Sequence, residues 1–273
     1  MADIRTSAIK PETYYCYQTS SPLEINGDLD KPAWKKARKS RRLVDLVTGQ
    51  PAFFETRIAA LADNHYFYLA FWLEEPDLQA HLTERDSFLW LENDVEVFLA
   101  GPNCYYELQV NALGTIYEVF YIWQDALKPG SFFDRPEFDL TSRKVDVLGG
   151  FQDSSRYGRH PRGRRWAFMD WDFPGLKWAV KLDGSLNDSS DVDRGWTVEL
   201  AFPWSGLELL AEGRPLPPGN GQTWLMNFFR FEAMEVNGRK IEPSIGWSLS
   251  PHGVYDSHQP ELFARIVFQK DTI

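Results

Sequence analysis

The sequence predicts an all-β protein, an antiparallel jelly-roll-like β-sandwich with a few short helices. About ten short runs rich in β-branched and aromatic residues follow one another with turn residues between them, which is typical of a sandwich. The run 94–99 alternates valine and leucine with other residues, so we expect one of its faces to be buried. Aromatic residues make up 15% of the chain, and aromatic side chains favour strands.

The individual elements follow from turn signals along the chain. Asn26 and Gly27 mark a turn, after which Asp30 can cap a short helix at 31–38. Hairpins are expected at 56–73 and at 94–111, and the second of them turns at a Gly-Pro-Asn sequence. Further strands are predicted at 115–123, 176–182, 196–202, 221–232 and 263–268.

The domain organisation follows from length and from the absence of a linker pattern. A chain of 273 residues can form one large all-β domain or two smaller ones. No linker sequence divides this chain, so we predict a single β-sandwich domain spanning 1–273. Between 124 and 172 the strand pattern is lost and proline, glycine and arginine become frequent, which predicts a long irregular insertion there.

Charge and cysteine content bear on partners and cofactors. The formal net charge of −10 disfavours nucleic acid and acidic membrane surfaces as partners, because both are anionic. The acidic surface groups are also suited to collecting cations such as calcium. The two cysteines, Cys16 and Cys104, match no zinc motif, and we expect no required cofactor. The oligomeric state is left open.

The N-terminal residues and the hydropathy bear on the cellular compartment. No apolar run approaches the roughly 20 residues that span a bilayer. The first residues also lack the apolar segment of a signal peptide. We therefore expect either a cytoplasmic protein or an exported one from which a leader has been removed.

The segment 83–115 carries the residue types that recognition of a sugar requires. Trp90 lies just before Asp94 and Glu96, and two predicted strands then continue to Gln109 and Asn111. The C–H face of a sugar stacks on an aromatic ring, and its hydroxyl groups hydrogen-bond to carboxylates and amides. The alternatives are a core tryptophan at the strand entry and a glutamate that faces solvent.

Five phrases of the sequence stand in a distinctive order. They are YYCYQTSSPLEINGDLDKPAWKKA, TERDSFLWLENDVEVF, YYELQVNALGT, MDWDFPGLKWAVKLDGSLNDSSDVDRGWTVELAFPW and WSLSPHGVYDSHQPELFARIVF. In this order and spacing the chain resembles carbohydrate-binding module family 9-like proteins over nearly its whole length. The resemblance implies a jelly-roll-like sandwich that binds sugars, often in connection with plant-polysaccharide degradation. It also implies structural calcium ions and two tryptophans that clamp the sugar at a chain end.

The resemblance assigns roles to individual residues. Trp90 stands where one clamp tryptophan is expected, and Glu96 matches an acid that hydrogen-bonds sugar hydroxyls. Asn111 matches an asparagine of the same site, whereas Gln109 stands where those modules have an arginine. The C-terminal loop has no second tryptophan, and Tyr255 or His258 would take its place. Because of these two departures from the family pattern, we predict one stacking face and not a two-sided clamp.

Further candidates for ligand contact lie elsewhere in the chain. Arg230 stands among aromatic residues of a predicted strand, where it is a candidate to orient Glu96 or to touch a ligand. Trp247 lies in the closing segment, upstream of the C-terminal loop. A basic run comprises Arg156, Arg159, His160, Arg162, Arg164 and Arg165. It is suited either to binding uronic or sulfated sugars or to forming a solvated loop.

These observations predict non-catalytic binding of a carbohydrate, of the plant poly- or oligosaccharide type, in carbohydrate catabolism. One alternative is a glycoside hydrolase, which requires two carboxylates about 5–10 Å apart across the scissile bond. Asp94 and Glu96 are expected about 6.5 Å apart on one strand face, an arrangement that favours contact with a single side of a sugar. A second alternative is a protein-interaction sandwich with a vestigial sugar groove.

Overall fold

The computed structural model describes residues 10–148, 160–236 and 239–273. The strands of these ranges are β1 (Thr13–Gln18), β2 (Val44–Asp45), β3 (Thr56–Ala62), β4 (Tyr66–Glu74), β5 (Asp94–Ala100), β6 (Cys104–Asn111), β7 (Ile116–Trp123), β8 (Val145–Leu148), β9 (Arg165–Phe168), β10 (Lys177–Asp183), β11 (Gly195–Pro203), β12 (Thr223–Glu232), β13 (Glu235–Val236), β14 (Arg239–Lys240), β15 (Ile245–Ser248) and β16 (Ala264–Thr272). The helices are α1 (Pro32–Lys36) and α2 (Glu208–Ala211), with short 3₁₀ helices at Leu89–Leu91, Pro136–Phe138, Trp204–Leu207 and Pro260–Leu262.

The strands form a hydrogen-bonded sheet that folds into two packed layers. The smaller layer has the order β10–β11–β4–β3, and the larger layer has the order β16–β12–β5–β6–β7–β9–β8. β15 pairs with the end of β12, and β2 pairs with β15. Side chains of both layers meet in the main core, as in the contact of Phe71 with Phe228, whose ring centroids lie 6.2 Å apart. The predicted all-β sandwich is confirmed.

Strand β1 joins the two layers and makes the sheet mixed. Its first residues, Thr13–Cys16, pair in parallel with β16 of the larger layer. Tyr17 and Gln18 then pair in parallel with β3 of the smaller layer. The remaining pairs within the two layers are antiparallel, as predicted. The alternation of side chains is the same for either strand direction, so the sequence pattern carries no sign of the parallel pairs.

The larger layer is buried on both faces. Along β5, Val95 and Val97 point into the main core, whereas Phe98 belongs to a second apolar cluster on the opposite, outer face. Every residue of β5, β6 and β7 is buried. Because successive side chains of a strand point to opposite faces, Glu96 lies on the outer face together with Phe98. The polar residues of these strands are therefore enclosed and do not form a solvated surface.

Two strands lie in the segment 124–172, where the sequence predicts an irregular insertion. β8 and β9 pair with each other, and β9 extends the larger layer beside β7. Each has only four residues, which is too short a run for alternation to stand out in the sequence. Residues 149–159, which include Arg156 and Arg159 of the basic run, lie outside the described residues.

The predicted helix at 31–38 is shorter in the structure and has a different cap. α1 begins at Pro32, whose fixed φ suits a first helical position, and Lys31 is the N-cap residue in place of Asp30. Trp34 on α1 is 1% exposed and packs against the outer face of the smaller layer. Its ring nitrogen Nε1 donates a hydrogen bond of 2.8 Å to the carboxylate of Glu199 on β11.

Glu199 links the N-terminal turn and α1 to the smaller layer. Its carboxylate also accepts hydrogen bonds from the backbone N–H groups of Asn26 and Gly27, at 3.0 and 3.1 Å. The Lys31 ammonium pairs with the same carboxylate at 2.6 Å. The Glu199 side chain is fully buried, and each of its charge-assisted bonds connects the N-terminal turn or α1 to the smaller layer.

Replacing Glu199 with alanine is expected to destabilise the fold. The substitution removes the acceptor of buried N–H donors and the carboxylate partner of the Lys31 ammonium, which lowers the free energy of unfolding by about 3–5 kcal/mol. Urea denaturation followed by tryptophan fluorescence measures this change. Glu208→Ala, at an exposed glutamate of α2, is the control and is expected to change stability by less than about 0.5 kcal/mol. Equal stability of the two variants would contradict the role given to Glu199.

Candidate functional site

A groove of about 800 Å³ lies on the outer face of the larger layer, and we call it the outer-face groove. β5, β6 and β7 supply its floor, the segment 88–91 supplies one wall, and the loops 240–244 and 255–258 supply the other. Its lining residues include Phe88, Trp90, Leu91, Glu96, Glu107, Gln109, Tyr117, Tyr121, Met169, Phe231, Ile241, Pro243, Tyr255 and His258. The volume lies within the range of roughly 300–1,000 Å³ that is common for small-molecule sites.

One wall of the outer-face groove is aromatic. The rings of Phe88 and Trp90 are stacked with centroids 4.4 Å apart and an interplanar angle of 22°. Tyr117 of β7 meets the Trp90 ring edge-on, at 5.1 Å. The 3₁₀ helix Leu89–Leu91 presents these rings, because Leu89 is fully buried and anchors the turn while its two neighbours project outward. Trp90 remains 40% exposed.

The floor of the groove is a row of hydrogen-bonded polar side chains. Gln109 of β6 is paired across the strands with Glu96 of β5, and its Nε2 donates to Glu96 Oε1 at 3.0 Å. The same nitrogen donates to Glu107 Oε1 at 2.7 Å. Tyr121 of β7 donates its hydroxyl hydrogen to Glu107 Oε2, also at 2.7 Å. One amide and one hydroxyl therefore hold two carboxyl groups side by side.

Several oxygen atoms of this row have no partner among the described residues. They are Oε2 of Glu96, Oε1 of Gln109 and both carboxyl oxygens of Asp94, which lies two residues before Glu96 on the same face of β5. Asp94 is fully buried and lies behind the groove lining, whereas Glu96 and Gln109 line the groove itself. An unpaired buried polar group costs about 1–3 kcal/mol, so these oxygens lower the stability of the fold at this place.

Burial governs the protonation of these carboxyl groups. It raises the pKa of Asp94 and of Glu96 well above their usual range, and the neighbouring carboxyls raise it further. Burial also raises the pKa of Glu107 to about 7, against the lowering effect of its bonds from Tyr121 and Gln109. Ionisation of these carboxyl groups is therefore disfavoured relative to carboxyls in water, and a ligand that changes their surroundings shifts their pKa again.

The opposite wall is formed by the C-terminal loop and the strand-connecting loop before β15. The Tyr255 hydroxyl donates to the backbone oxygen of Ser244 at 2.5 Å, which ties the two loops together. Its ring meets Phe231 edge-on at 6.1 Å. His258 Nδ1 hydrogen-bonds the Tyr105 hydroxyl at 3.1 Å, and burial lowers the pKa of this histidine to about 3. His258 is therefore neutral at physiological pH.

Solved structures of other proteins share this architecture. A protein from Bacteroides uniformis ATCC 8492, provisionally described as carbohydrate-binding, superposes with a TM-score of 0.59 and 14% identity over 95% of this chain and 100% of its own. A carbohydrate binding module family 9 from Caldicellulosiruptor kristjanssonii gives a TM-score of 0.53 in complex with cellotriose and 0.54 in complex with glucose. The identities are 12% and 14%, over 94% of this chain and 94% and 96% of theirs.

The chain has the fold of carbohydrate-binding module family 9. No model of a protein family and no curated protein matches its sequence. The resemblance found in the sequence is thus confirmed at the level of the fold, and the similarity extends over nearly the whole chain.

Within this family 9 fold, five of the eight sequence-predicted ligand residues line the outer-face groove. Trp90 lies in the aromatic wall, Glu96 and Gln109 lie in the floor, and Tyr255 and His258 lie in the opposite wall. The alternatives of a core tryptophan and a solvent-facing glutamate do not hold, because Trp90 is 40% exposed and Glu96 is 3% exposed. Contact of these residues with a sugar stays a prediction.

The other three predicted ligand residues lie away from the groove lining. Asn111 is fully buried and closes the turn after β6, since its Oδ1 accepts the backbone N–H groups of Leu113 and Thr115. Its Nδ2 donates to Glu92 Oε1 at 2.7 Å. The predicted sugar contact of Asn111 is therefore corrected to a role in shaping the turn.

Arg230 and Trp247 form part of a buried structural cluster. Arg230 is 1% exposed, and its guanidinium pairs with Glu75 at 2.7 Å and with Glu232 at 2.8 Å. Trp247, paired with it across β12 and β15, stacks beside that guanidinium and is also 1% exposed. Arg230 points to the face of β12 opposite Phe231, so it neither orients Glu96 nor reaches a ligand in the groove.

Sequence reasoning missed several residues of the site, among them Glu107, Tyr117, Tyr121 and Phe88. Glu107 stands two positions before Gln109 on β6, so period-two alternation already placed both on one face. Tyr117 and Tyr121 alternate in the same way on β7. Phe88 stands two positions before Trp90, but nothing in the sequence shows that the two rings stack, because the intervening 3₁₀ helix determines their directions.

The described part of the basic run lies against the sheet and not in the groove. Arg162 pairs with Asp125 at 3.1 Å, and its guanidinium lies over the ring of Trp123. Arg165 is fully buried and donates to the Tyr105 hydroxyl at 3.2 Å. These contacts exclude a merely solvated loop at Arg162 and Arg165, and they leave no arginine among the described residues that line the groove.

In the acidic segment 183–193, backbone donors engage the carboxylate of Asp193. Both carboxylate oxygens of Asp193 accept backbone N–H groups, from Ser185 at 2.6 Å and from Leu78 at 2.7 Å. In the described ranges, no group of three or more histidine, cysteine, aspartate or glutamate side chains is placed to hold a metal ion.

The described residues likewise contain no helix of the length and apolarity that crossing a membrane requires.

The folding stability of the wild-type protein is expected to decline as the pH rises, and the Asp94→Asn substitution is expected to make this decline smaller. Because the folded pKa of the Asp94 carboxyl is raised above its unfolded value of about 4, the folded state binds this proton more tightly than the unfolded state. Folding stability therefore declines as the pH rises from the unfolded pKa through the folded one. The isosteric amide carries no such proton, so the melting temperature of the variant should decline less between about pH 5 and pH 8.

Asp271→Asn is the matched control, since Asp271 is exposed at the end of β16. Its melting temperature should follow that of the wild type across the same pH range. If the Asp94→Asn profile also follows the wild type, burial does not shift the Asp94 carboxyl as described.

Proposed function

We propose that this protein binds a carbohydrate in the outer-face groove and does not hydrolyse it. The observation that carries this proposal is the position of a half-exposed tryptophan beside a floor of buried carboxyl and amide groups with unpaired oxygens. A pyranose ring presents an apolar C–H face and an edge of hydroxyl groups. Those two surfaces match the wall and the floor respectively.

The aromatic wall supports stacking of one sugar ring. Phe88 covers one side of the Trp90 ring and Tyr117 meets its edge, so the indole is held in one orientation before a ligand arrives. A preformed platform avoids the entropic cost of ordering a side chain on binding. On the opposite wall Tyr255 is a further aromatic candidate for contact with the sugar, and its ring is nearly perpendicular to that of Phe231, at 82°.

The polar floor supports hydrogen bonding to the hydroxyl groups. Glu96 and Gln109 are held by each other and by their strand neighbours, so their free oxygens have defined positions. The same row argues against hydrolysis, because Glu96 and Glu107 lie side by side on neighbouring strands of one sheet face. A glycoside hydrolase instead places two carboxyls on opposite sides of the scissile bond.

The ligand class that we propose is a plant-type oligosaccharide in carbohydrate catabolism. Support comes from the similar structures of family 9 modules, which hold cellotriose and glucose. The lining of the outer-face groove adds the aromatic and hydrogen-bonding groups that a glucan requires.

Trp90→Ala is expected to weaken cellotriose binding about tenfold or more, because loss of an aromatic stacking partner costs about 1.5 kcal/mol. Isothermal titration calorimetry at constant pH measures the change. The control is Tyr15→Ala. Tyr15 is an aromatic residue of similar exposure, 43%, on β1, and it is distant in sequence from the residues that line the groove. Its replacement should leave the affinity for cellotriose unchanged. Equal binding by the Trp90 variant and the wild type would show that the site lies elsewhere.

A parallel assay separates the alternative functions. Release of reducing ends from a polysaccharide by the wild-type protein would establish the hydrolase alternative. Absence of binding to any saccharide on a glycan array, by a protein that folds, would favour the interaction sandwich.

A further inference from the structure

A second concave surface lies on the outer face of the smaller layer, beside α1, and we call it the α1 pocket. Its volume is about 870 Å³, and it shares no lining residue with the outer-face groove of the larger layer. Its floor is a row of cross-strand partners, one from each strand of the smaller layer. They are Arg57 of β3, Trp72 of β4, Thr197 of β11 and Lys181 of β10.

The row faces away from the main core. Phe71 and Leu73, on either side of Trp72 along β4, point into that core, so Trp72 points outward. Trp34 of α1 meets the Trp72 ring edge-on, with the ring centroids 6.3 Å apart and the planes at 86°. α1 therefore forms one wall of the pocket, and Trp72 stays half-buried in the floor.

One cation of the α1 pocket has no acidic partner. The five acids of the lining all form ion pairs, which are Lys35–Asp30, Lys181–Asp28, Arg57–Glu55, Arg194–Asp183 and Arg42–Glu74. Lys39 also lines the pocket, and it forms no ion pair with a carboxylate of the described residues. Its Nζ lies 3.9 Å from the centroid of the Trp72 ring, and the residue is exposed.

The chain around Lys39 is basic, although the protein as a whole is acidic. The segment 31–42 has seven lysine and arginine residues and no acid, whereas the whole chain has a formal net charge of −10. Burial and, after it, the charge of Arg57 lower the pKa of the Lys39 ammonium. A carboxylate bound beside this ammonium stabilises its charged form. An anionic ligand is therefore favoured here relative to the rest of the surface.

We propose that the α1 pocket binds an oligosaccharide that carries uronic acid residues. The apolar C–H face of one sugar ring stacks on Trp72, and the carboxylate of that sugar pairs with the Lys39 ammonium. Lys39 has a flexible four-carbon side chain, so its ammonium can move from the face of the ring to the edge. The carboxylate then takes the place of the ring as the partner of the ammonium.

The pairing of the other charges favours a sugar acid over nucleic acid. A single strand of nucleic acid binds through a positively charged groove that follows its phosphates. In the α1 pocket the four lining cations other than Lys39 are paired with acids, and those acids repel phosphates. One ammonium beside one aromatic ring matches a single carboxylate on a sugar ring.

Calorimetry on the full chain, at about pH 7 and low salt, compares trigalacturonate with its fully methyl-esterified form. The wild type should bind the acid about fivefold more tightly than the ester, which is the gain expected for one exposed ion pair. Raising the salt concentration to about 1 M should remove most of this gain, because salt screens an exposed pair. A wild type that binds both ligands equally at low salt overturns the pairing with Lys39.

Lys39→Gln tests the ammonium directly. This variant should bind the acid and the ester with equal affinity, whereas Lys39→Arg keeps the charge and should keep most of the preference. Lys36→Gln is the matched control, because Lys36 is an exposed lysine of the same segment outside the described lining of the pocket. It should keep the fivefold ratio. A fivefold ratio in Lys39→Gln as well would contradict the proposal.

Trp72→Ala tests the stacking platform and should weaken binding of both ligands about tenfold. Trp90→Ala, in the outer-face groove, should leave both affinities unchanged. A melting curve establishes that each variant is folded. If Trp72→Ala does not fold, the comparison of Lys39→Gln with Lys36→Gln decides.

The α1 pocket and the outer-face groove can fail separately in these experiments. Trigalacturonate binding that is lost in Trp90→Ala and kept in Trp72→Ala places the sugar acid in the outer-face groove and overturns the assignment to the α1 pocket. Failure of the folded wild type to bind trigalacturonate overturns it as well, while binding of cellotriose tests the proposed function independently. Displacement of trigalacturonate by an equal concentration of a short oligothymidylate shows a general polyanion site and overturns the choice of a sugar acid.

Discussion

Burial of both faces of β5 is the constraint on which the rest of the structure depends. One face, with Val95 and Val97, closes the main core between the two layers. The other face carries Phe98 into a second apolar cluster and places Asp94 and Glu96 beside it. A strand in the middle of a sandwich normally has one wet face. Here the loops and the aromatic wall enclose that face, and the enclosure creates the outer-face groove.

Two buried charged groups away from the groove, those of Glu199 and Arg230, have a hydrogen-bond partner at every charged atom, whereas the groove floor does not. Glu199 accepts four hydrogen bonds at its corner, and Arg230 is bracketed by two carboxyls and two aromatic rings. Asp94 and Glu96 keep unpaired oxygens in an equally buried environment. Unpaired buried nitrogens also occur at Arg42 and Arg165, but Glu96 and Gln109 line a concave surface with an aromatic wall, and unpaired polar groups at such a surface are typical of a binding site.

Residues of the candidate site could be predicted from the sequence only where a local pattern, such as alternation along a strand, indicates their position. Alternation put Glu96 and Gln109 on strand positions that face one another across β5 and β6, and the structure pairs them. The same alternation places Glu107 on the face of Gln109, two positions before it on β6. Arg230 and Trp247 looked equally suitable by residue type. Their exclusion follows from the strand face that each occupies, which depends on the register of β12 with β5 and β15.

The sequence by itself determined the all-β class, most strand positions and the turns between them, because these depend on residue propensity and on alternation over a few neighbours. It also determined that Trp90 stands ahead of two acids. Only the tertiary structure decided the rest. The parallel pairing of β1, the stack of Phe88 on Trp90 and the burial of Asp94 and Glu96 all arise between segments that are distant in sequence or outside any periodic pattern. Those contacts convert a run of polar residues into a floor with unpaired acceptors, since the protonation and hydrogen bonding of a carboxyl depend on what surrounds it.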